Sequence, residues 1–282
     1  MKNFSNTMTT PKSDRSLSIK SYLFLAFFML ISAISFSQNQ INDGLRLQFS
    51  DGRPDAMGFE DVNAVLKQIG VHGSLVAIPK KVKPLLELSS KRALTADETK
   101  IVSSFFPMDR KSPLKQVKLA GKVPVIAGGG SLGTIEVGNT PYPKVYDLMS
   151  WSPEGQADGL RKYGTLHVNS SDDGTGIDEV MTVVAGGSFT WFFVLPDNTM
   201  IQLTVKRIGK NDKAVRLSYP GLGIHAGYMN PTDGLIVAYA HGPKDFVMRY
   251  KSPGVRGEKF LGTNPWVDFT TPRPTIIDIT KK

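Results

Sequence analysis

DEVMTVVAGGSFTWFFVLPDNTMIQLTVK, residues 178–206, contains three short runs that are rich in Val, Phe, Thr and Ile. The turn sequence Pro196-Asp-Asn198 separates the last two runs. β-Branched and aromatic residues favour strands, and turn residues between such runs are typical of antiparallel hairpins. The stretch therefore predicts consecutive antiparallel strands rather than strands that alternate with helices.

The same pattern extends across residues 117–250, where short apolar runs are divided by Gly, Pro, Asn and Asp. Many short strands at regular spacing predict an all-β sandwich or barrel. The predicted strands are Val123–Ala127, Lys144–Leu148, Thr165–Asn169, Glu179–Ala185, Thr190–Leu195, Met200–Lys206, Ala214–Ser218, Leu235–Ala240 and Phe246–Tyr250.

Two further regions flank this β domain. Residues 38–116 are interpreted as an extended lead-in followed by a small helical subdomain. In residues 61–69 the apolar positions recur at helical spacing, and Thr95 and Glu98 have the spacing of a capping box. Residues 251–282 are rich in proline and charge and are predicted to form an extended tail, with Trp266 as its anchor.

The first 37 residues have the organisation of a secretory signal peptide. Basic residues precede the uncharged run from Tyr22 to Phe36, which is shorter than the ~20 apolar residues that cross a bilayer. The small side chains of Ser35 and Ser37 predict cleavage before Gln38. We therefore expect an exported protein, periplasmic or secreted, without membrane contact after cleavage. A permanent N-terminal membrane anchor is the alternative.

Charge and cysteine content exclude several classes of function. The net charge of +9 falls to +6 once residues 1–37 are removed, and the basic clusters contain no interleaved aromatic residues, so no nucleic-acid partner is expected. The absence of cysteine excludes disulfides, thiolate metal sites and cysteine nucleophiles. The glycine cluster at residues 128–133 is not followed by a helix signal and predicts a turn. Gly129-Gly-Ser-Leu-Gly133 has the G-x-S-x-G spacing, but no helix signal follows it, so no serine stands in the strand-to-helix turn that a serine hydrolase needs.

Three predicted strands contribute side chains that can bind a metal ion. His167 and Asn169 project from one face of the first strand, Glu179 lies near the start of the second, and His225 begins the third. Imidazole and carboxylate suit one divalent ion of iron, manganese, nickel or zinc. The sequence therefore predicts a metal site where His167, Glu179 and His225 converge. The alternative is a metal-free barrel, in which His167 and His225 are hydrogen-bonded interior residues and Glu179 pairs with a neighbouring base.

These residues resemble the two motifs of the cupin superfamily, over roughly residues 140–250. Glu179 and Gly186 match the E-x6-G end of the first motif. Pro220 and His225 match the proline-to-histidine spacing of the second, with Asn230 close behind.

The resemblance has three departures from the cupin pattern. Asn169 stands where the first motif has its second histidine, and its distance to Glu179 is longer than in the motif. Leu222 stands at the glycine position of the second motif.

The resemblance implies a mainly β fold, an antiparallel cupin-like β-barrel of the jelly-roll type. It also implies His167, Glu179 and His225 as metal ligands. Asn169 would be a weak fourth ligand or a substrate contact. Apart from the resemblance, His241 lies where the predicted strand Leu235–Ala240 ends and is a candidate catalytic acid or base at the mouth of the barrel, with an ordinary strand-end histidine as the alternative.

Three functions are compatible with these expectations. The first is a metal-dependent enzyme of the dioxygenase, lyase or isomerase type that acts on a small polar molecule. The second is a metal-free barrel that binds a sugar or another small molecule. The third is an exported structural or assembly component, whose barrel interior would be packed with apolar side chains and have no pocket. A homodimer formed through an open sheet edge is compatible with each.

Overall fold

The computed structural model describes residues 44–107, 136–137, 140–141, 143–229, 232–243 and 245–279. These residues belong to one unit, Asp43–Lys282. Four features of the sequence lie outside them: the expected signal peptide, the predicted strand Val123–Ala127, the glycine cluster at 128–133, and Asn230. Within the described ranges, no helix is long and apolar enough to cross a bilayer.

Short strands dominate the described residues. The helices are α1 (Gly58–Leu66), α2 (Lys83–Ser89), α3 (Ala96–Ser104) and α4 (Pro153–Gly164). The strands of the first half are β1 (Leu45–Phe49), β2 (Ala56–Met57), β3 (His72–Val76), β4 (Glu136–Val137), β5 (Thr140–Pro141), β6 (Lys144–Asp147), β7 (Val168–Ser170) and β8 (Asp178–Gly186). Those of the second half are β9 (Phe189–Val194), β10 (Met200–Val205), β11 (Ala214–Tyr219), β12 (His225–Tyr228), β13 (Gly234–His241), β14 (Val247–Arg249), β15 (Val267–Asp268) and β16 (Thr275–Ile276).

Two five-stranded antiparallel sheets form the fold. Their strand orders are β12-β9-β10-β1-β2 and β3-β11-β8-β13-β6. The prediction of a mainly antiparallel β fold is therefore confirmed, and each predicted strand in the described part of the chain has an observed counterpart. Strand pairing among these residues does not close the two sheets into a barrel. The jelly-roll barrel itself stays a prediction.

The main core lies between the two sheets. In β9, Trp191 and Phe193 pack in a cluster with Leu203 of the first sheet and Leu217 of the second. Phe192 points the other way and packs in a separate cluster. Successive side chains of a strand point to opposite faces, so the WFF sequence supplies two cores at once.

The helical signals in residues 59–107 are confirmed. The turn after α1 ends at Gly70, whose φ of 76° suits glycine. A complete capping box formed by Thr95 and Glu98 begins α3. Leu86 and Val102 of these helices belong to a buried cluster that covers the outer face of the second sheet.

Residues 44–107 also contribute three strands that the sequence did not predict, β1, β2 and β3. β1 pairs along its whole length with β10, and β3 pairs with β11. In β1 the alternating residues Leu45, Leu47 and Phe49 are buried. This period of two is the physical reason why residues expected to be an extended lead-in join the sheet.

The C-terminal residues pack on the outer face of the first sheet. Trp266 is buried beside Phe192, with 6.4 Å between the ring centroids, which agrees with its predicted role as an anchor. The guanidinium of Arg161 in α4 donates to the backbone carbonyls of Phe269 and Thr271. These contacts fix the tail against the protein.

Candidate active site

A cavity of about 280 Å³ opens between the two sheets. Its walls are largely aromatic, and buried polar side chains lie at its closed end. The aromatic lining consists of Tyr146, Tyr163, Trp191, Tyr219 and Phe246. The buried polar lining consists of His167, Asn169, Glu179 and His225. All four polar residues had been selected from the sequence, and strand pairing brings them together.

Backbone pairing places the two histidines side by side. The amide of His167 donates to the carbonyl of His225 at 2.9 Å, and the amide of His225 donates to the carbonyl of His167 at 3.0 Å. Asn169 follows on the same face of β7. Glu179 lies on β8, where it pairs with Tyr219 of β11.

Asn169 connects the polar groups of the cavity. Its amide nitrogen Nδ2 donates to Glu179 Oε2 at 2.9 Å and lies 3.1 Å from His225 Nε2. Glu179 Oε2 is itself 3.4 Å from His225 Nε2. Asn169 Oδ1 is buried and has no partner among the described residues. The cluster therefore contains an acceptor that is free to bind a ligand.

The backbone fixes the orientations of both imidazoles. His167 Nδ1 lies 2.7 Å from the carbonyl oxygen of Thr165, and His225 Nδ1 lies 2.7 Å from that of Gly223. Because a carbonyl only accepts hydrogen bonds, each Nδ1 carries a proton. Nε2 is therefore the nitrogen that each ring directs to the site, and Nε2 of His225 lies beside Asn169 Nδ2. A backbone carbonyl is a common partner of the second nitrogen of a metal-binding histidine.

Burial keeps His167 in its neutral form. Its imidazole is almost fully buried, and this burial, followed by the neighbouring His225, holds its pKa well below the usual 6.5. His167 therefore presents an unprotonated Nε2 near neutral pH.

Tyr219 was not selected from the sequence, although it directly precedes the motif residue Pro220. Its ring centroid lies 4.7 Å from that of His225. Burial and the negative charge of Glu179 raise the pKa of its phenol well above 10. Tyr219 consequently stays protonated and can donate a hydrogen bond in the cavity.

Lys144, Lys162 and Tyr163 also line the cavity and were not selected. Lys162 and Tyr163 lie on α4, a helix absent from the sequence-based prediction. Its start has a recognisable signal, because Ser152 accepts a hydrogen bond from the backbone of Gly155 and Pro153 occupies the first helical position.

His241 lies away from these groups. It occupies the end of β13, paired with Asp178, and its Nδ1 is 3.9 Å from Asp178 Oδ2. Its ring is buried and does not line the cavity. The predicted role of His241 as an acid or base at the mouth has no support in this geometry.

The described residues contain no group of three His, Asp or Glu side chains that is already arranged as a set of metal ligands. The amide nitrogen of Asn169 lies between Glu179 and His225. The structure thus shows the individual donor atoms close together, with an amide group between two of them.

No family model matches this chain, and no curated protein matches it. A solved structure, the acireductone dioxygenase from Bacillus anthracis with a cadmium ion in its active centre, is similar in fold with a TM-score of 0.46. The two sequences are 13% identical, and the match covers 73% of this chain and 97% of that one. At this level the similarity assigns neither a family nor a function, and the resemblance to cupins rests on the sequence motifs.

Proposed function

We propose that the protein is a metal-dependent enzyme that binds a small molecule in this cavity, with one divalent ion held by His167, Glu179 and His225. The observation that supports the proposal is the orientation of the two imidazoles. The Nδ1 of each ring faces a backbone carbonyl, so Nε2 is the nitrogen directed to the site, and the carboxylate of Glu179 lies beside Nε2 of His225. Export of the mature protein, predicted from residues 1–37, is part of the same proposal.

The donor set fits a divalent transition metal. Two imidazole nitrogens and one carboxylate leave coordination positions open in iron, manganese, nickel or zinc sites. The unpartnered Oδ1 of Asn169 offers a further oxygen donor. Because Nδ2 of this amide now contacts both Glu179 and His225, a bound cation requires the amide to turn so that Oδ1 replaces Nδ2. When bound, the ion supplies Lewis-acid or dioxygen-binding chemistry.

The surrounding residues bind and orient the ligand. Trp191 and Tyr146 provide apolar walls that exclude water, as is typical of small-molecule sites. Tyr219 keeps its proton and donates a hydrogen bond to the carboxylate of Glu179, which holds this carboxylate in place. Glu179 and the unprotonated Nε2 of His167 provide acceptors at the closed end.

Metal content of the purified mature protein tests the proposal. We expect close to one equivalent of a divalent ion in the wild type, reduced at least about tenfold in His225→Ala and Glu179→Gln, since each change removes a ligand. The control is His72→Ala, because His72 lies on β3 and does not line the cavity. A low metal content that these three substitutions leave unchanged would contradict the proposal.

A metal-free binding protein is the second candidate. It is favoured by the hydrogen bonds of Asn169 to Glu179 and His225, which satisfy these groups without an ion. In that case a ligand binds with the same affinity in the presence and absence of a chelator. A metal-dependent enzyme loses activity under the same treatment.

A further inference from the structure

Two lysine side chains line the cavity together with the buried polar cluster. Lys144 lies on β6 and is half-buried, whereas Lys162 lies on α4 and is exposed. Neither ammonium forms an ion pair with a carboxylate in the part of the chain that the structure describes. The cavity therefore has two positive charges at its more exposed end and a single carboxylate, Glu179, at its closed end.

Aromatic rings hold both ammonium groups in place. Lys144 Nζ lies 4.5 Å from the ring centroid of Tyr146, and Lys162 Nζ lies 5.4 Å from that of Tyr163. The two tyrosine rings meet edge to face with their centroids 6.1 Å apart. A cation–π contact positions an ammonium group and leaves its N–H donors available. The four side chains thus form one continuous surface of the cavity.

Two like charges at one cavity repel each other and favour an anionic ligand. Burial and then the charge of Lys162 lower the pKa of Lys144. A negative group placed between the two ammonium groups removes this repulsion and gains charge-assisted hydrogen bonds.

From this juxtaposition we propose that the cavity selects a small organic anion, whose carboxylate or phosphate group binds Lys144 and Lys162 and whose apolar body packs on the tyrosine rings. The remaining end of the ligand then faces His167, Glu179 and His225. The inference specifies the substrate class of the proposed enzyme and depends on the proposed function only for the choice of this cavity. The charge preference itself needs no metal ion.

Methionine side chains of the cavity give a direct readout of binding. Met181, Met229 and Met248 line it, whereas Met57 and Met149 do not. In protein labelled with ¹³C at the methionine methyl groups, benzoate is titrated against benzamide, its neutral counterpart of similar shape, and against phenyl phosphate. We expect at least one of the two anions to shift the three cavity signals and to bind at least about tenfold more tightly than benzamide.

Substitutions at the lysines test the assignment. Lys144→Met with Lys162→Met removes both charges and is expected to reduce anion affinity to that of benzamide. The corresponding arginine variants keep the charge and should retain the preference. Lys100→Met, on the exposed side of α3, is the matched control and should change nothing.

Several outcomes would overturn the inference. These are equal binding of anion and amide, anion binding that the double methionine variant leaves unchanged, or cavity methionine signals that neither anion moves. Metal content measured on the same samples separates this result from the proposed function. Lysine-dependent anion binding in a protein without metal supports the inference and contradicts the enzyme proposal. Bound metal together with anion binding that does not depend on the lysines contradicts the inference alone.

Discussion

His167 and His225 lie side by side, with 4.5 Å between their ring centroids and reciprocal backbone hydrogen bonds between the two residues. The two residues face each other across an isolated antiparallel bridge, so their side chains point to the same side of the two paired segments. A backbone carbonyl then faces Nδ1 of each ring and fixes its orientation, so that Nε2 is directed to the site. The arrangement of these two residues therefore underlies the candidate site, and the predictions below address what surrounds it.

Asn169→Asp should make the protein dependent on a cation. The new carboxylate lies about where Nδ2 now sits, 2.9 Å from Glu179 Oε2, and two buried carboxylates repel each other. In the presence of a chelator we expect the free energy of unfolding to fall by about 1–3 kcal/mol, because the buried hydrogen bonds of the amide are lost. Added zinc or manganese should restore it.

Urea unfolding with and without metal measures this effect. Asn198→Asp is the control, since Asn198 lies in an exposed turn. If Asn169→Asp and the wild type were equally stable under chelation, repulsion between the carboxylates of residues 169 and 179 would be excluded.

Gly221→Ala should disrupt the loop that precedes His225. An added Cβ lies 2.3 Å from the backbone nitrogen and oxygen of Ile177 and 2.5 Å from the carbonyl oxygen of Asn169. Asn169 lies on β7 and Ile177 directly precedes β8, so these backbone atoms cannot move without shifting both strands. We expect a loss of about 1–3 kcal/mol or more in unfolding free energy, together with loss of metal or ligand binding.

Gly223→Ala provides the matched comparison, because its added Cβ comes no closer than 3.2 Å to Pro220. Its effect on thermal unfolding should be clearly smaller than that of Gly221→Ala. A reversed order of the two melting temperatures would contradict the packing described for this loop.

Trp266→Ala should show that the C-terminal residues belong to the folded unit. Trp266 is fully buried among residues such as Leu160 and Phe192. Truncation of a large core aromatic costs about 3–5 kcal/mol. Denaturant unfolding measures the change, and Phe269→Ala, which removes a partly buried ring from the same cluster, should cost less. A negligible effect of Trp266→Ala would mean that the tail does not contribute to stability.

Acid should weaken the start of α3. The side chain of Arg92 and the backbone amide of Thr95 lower the pKa of Glu98 from 4.5 to about 2. Since the folded state holds the carboxylate in its charged form, its contribution to stability is complete above pH 4.5 and is lost as the pH falls toward about 2.

Glu98→Gln removes this titration, so its urea midpoint should decline less between neutral and acidic pH than that of the wild type. Glu60→Gln, in the first turn of α1, is the control because it lacks the reciprocal cap. The same decline in wild type and Glu98→Gln would show that the capping box does not respond to pH.

Much of the site could be predicted because it depends on local patterns. His167 and Asn169 share a face through the period of two in a strand, and Glu179 and His225 stand out through motif spacing. One departure from the motif also has a structural explanation. Leu222 replaces the expected glycine, but Gly221 supplies the close backbone approach that this loop needs.

Other parts of the site could not be predicted, because they depend on contacts between distant segments. Lys162 reaches the cavity only because α4 packs beside it, and Tyr219 becomes important only once it is buried next to His225. His241 shows the opposite case, since the end of its strand lies beside Asp178 and not at the cavity.

The amino-acid pattern alone was enough to establish the antiparallel strands, the capping box of α3 and the residue types of a polar cluster, because each depends on neighbours a few positions apart. The folded protein was needed to establish that β1 and β3 complete the two sheets, that both imidazoles face one cavity, and that Lys144 and Lys162 lie at its exposed end. Register and packing between segments far apart along the chain set these features, and side-chain periodicity carries no information about which segments meet.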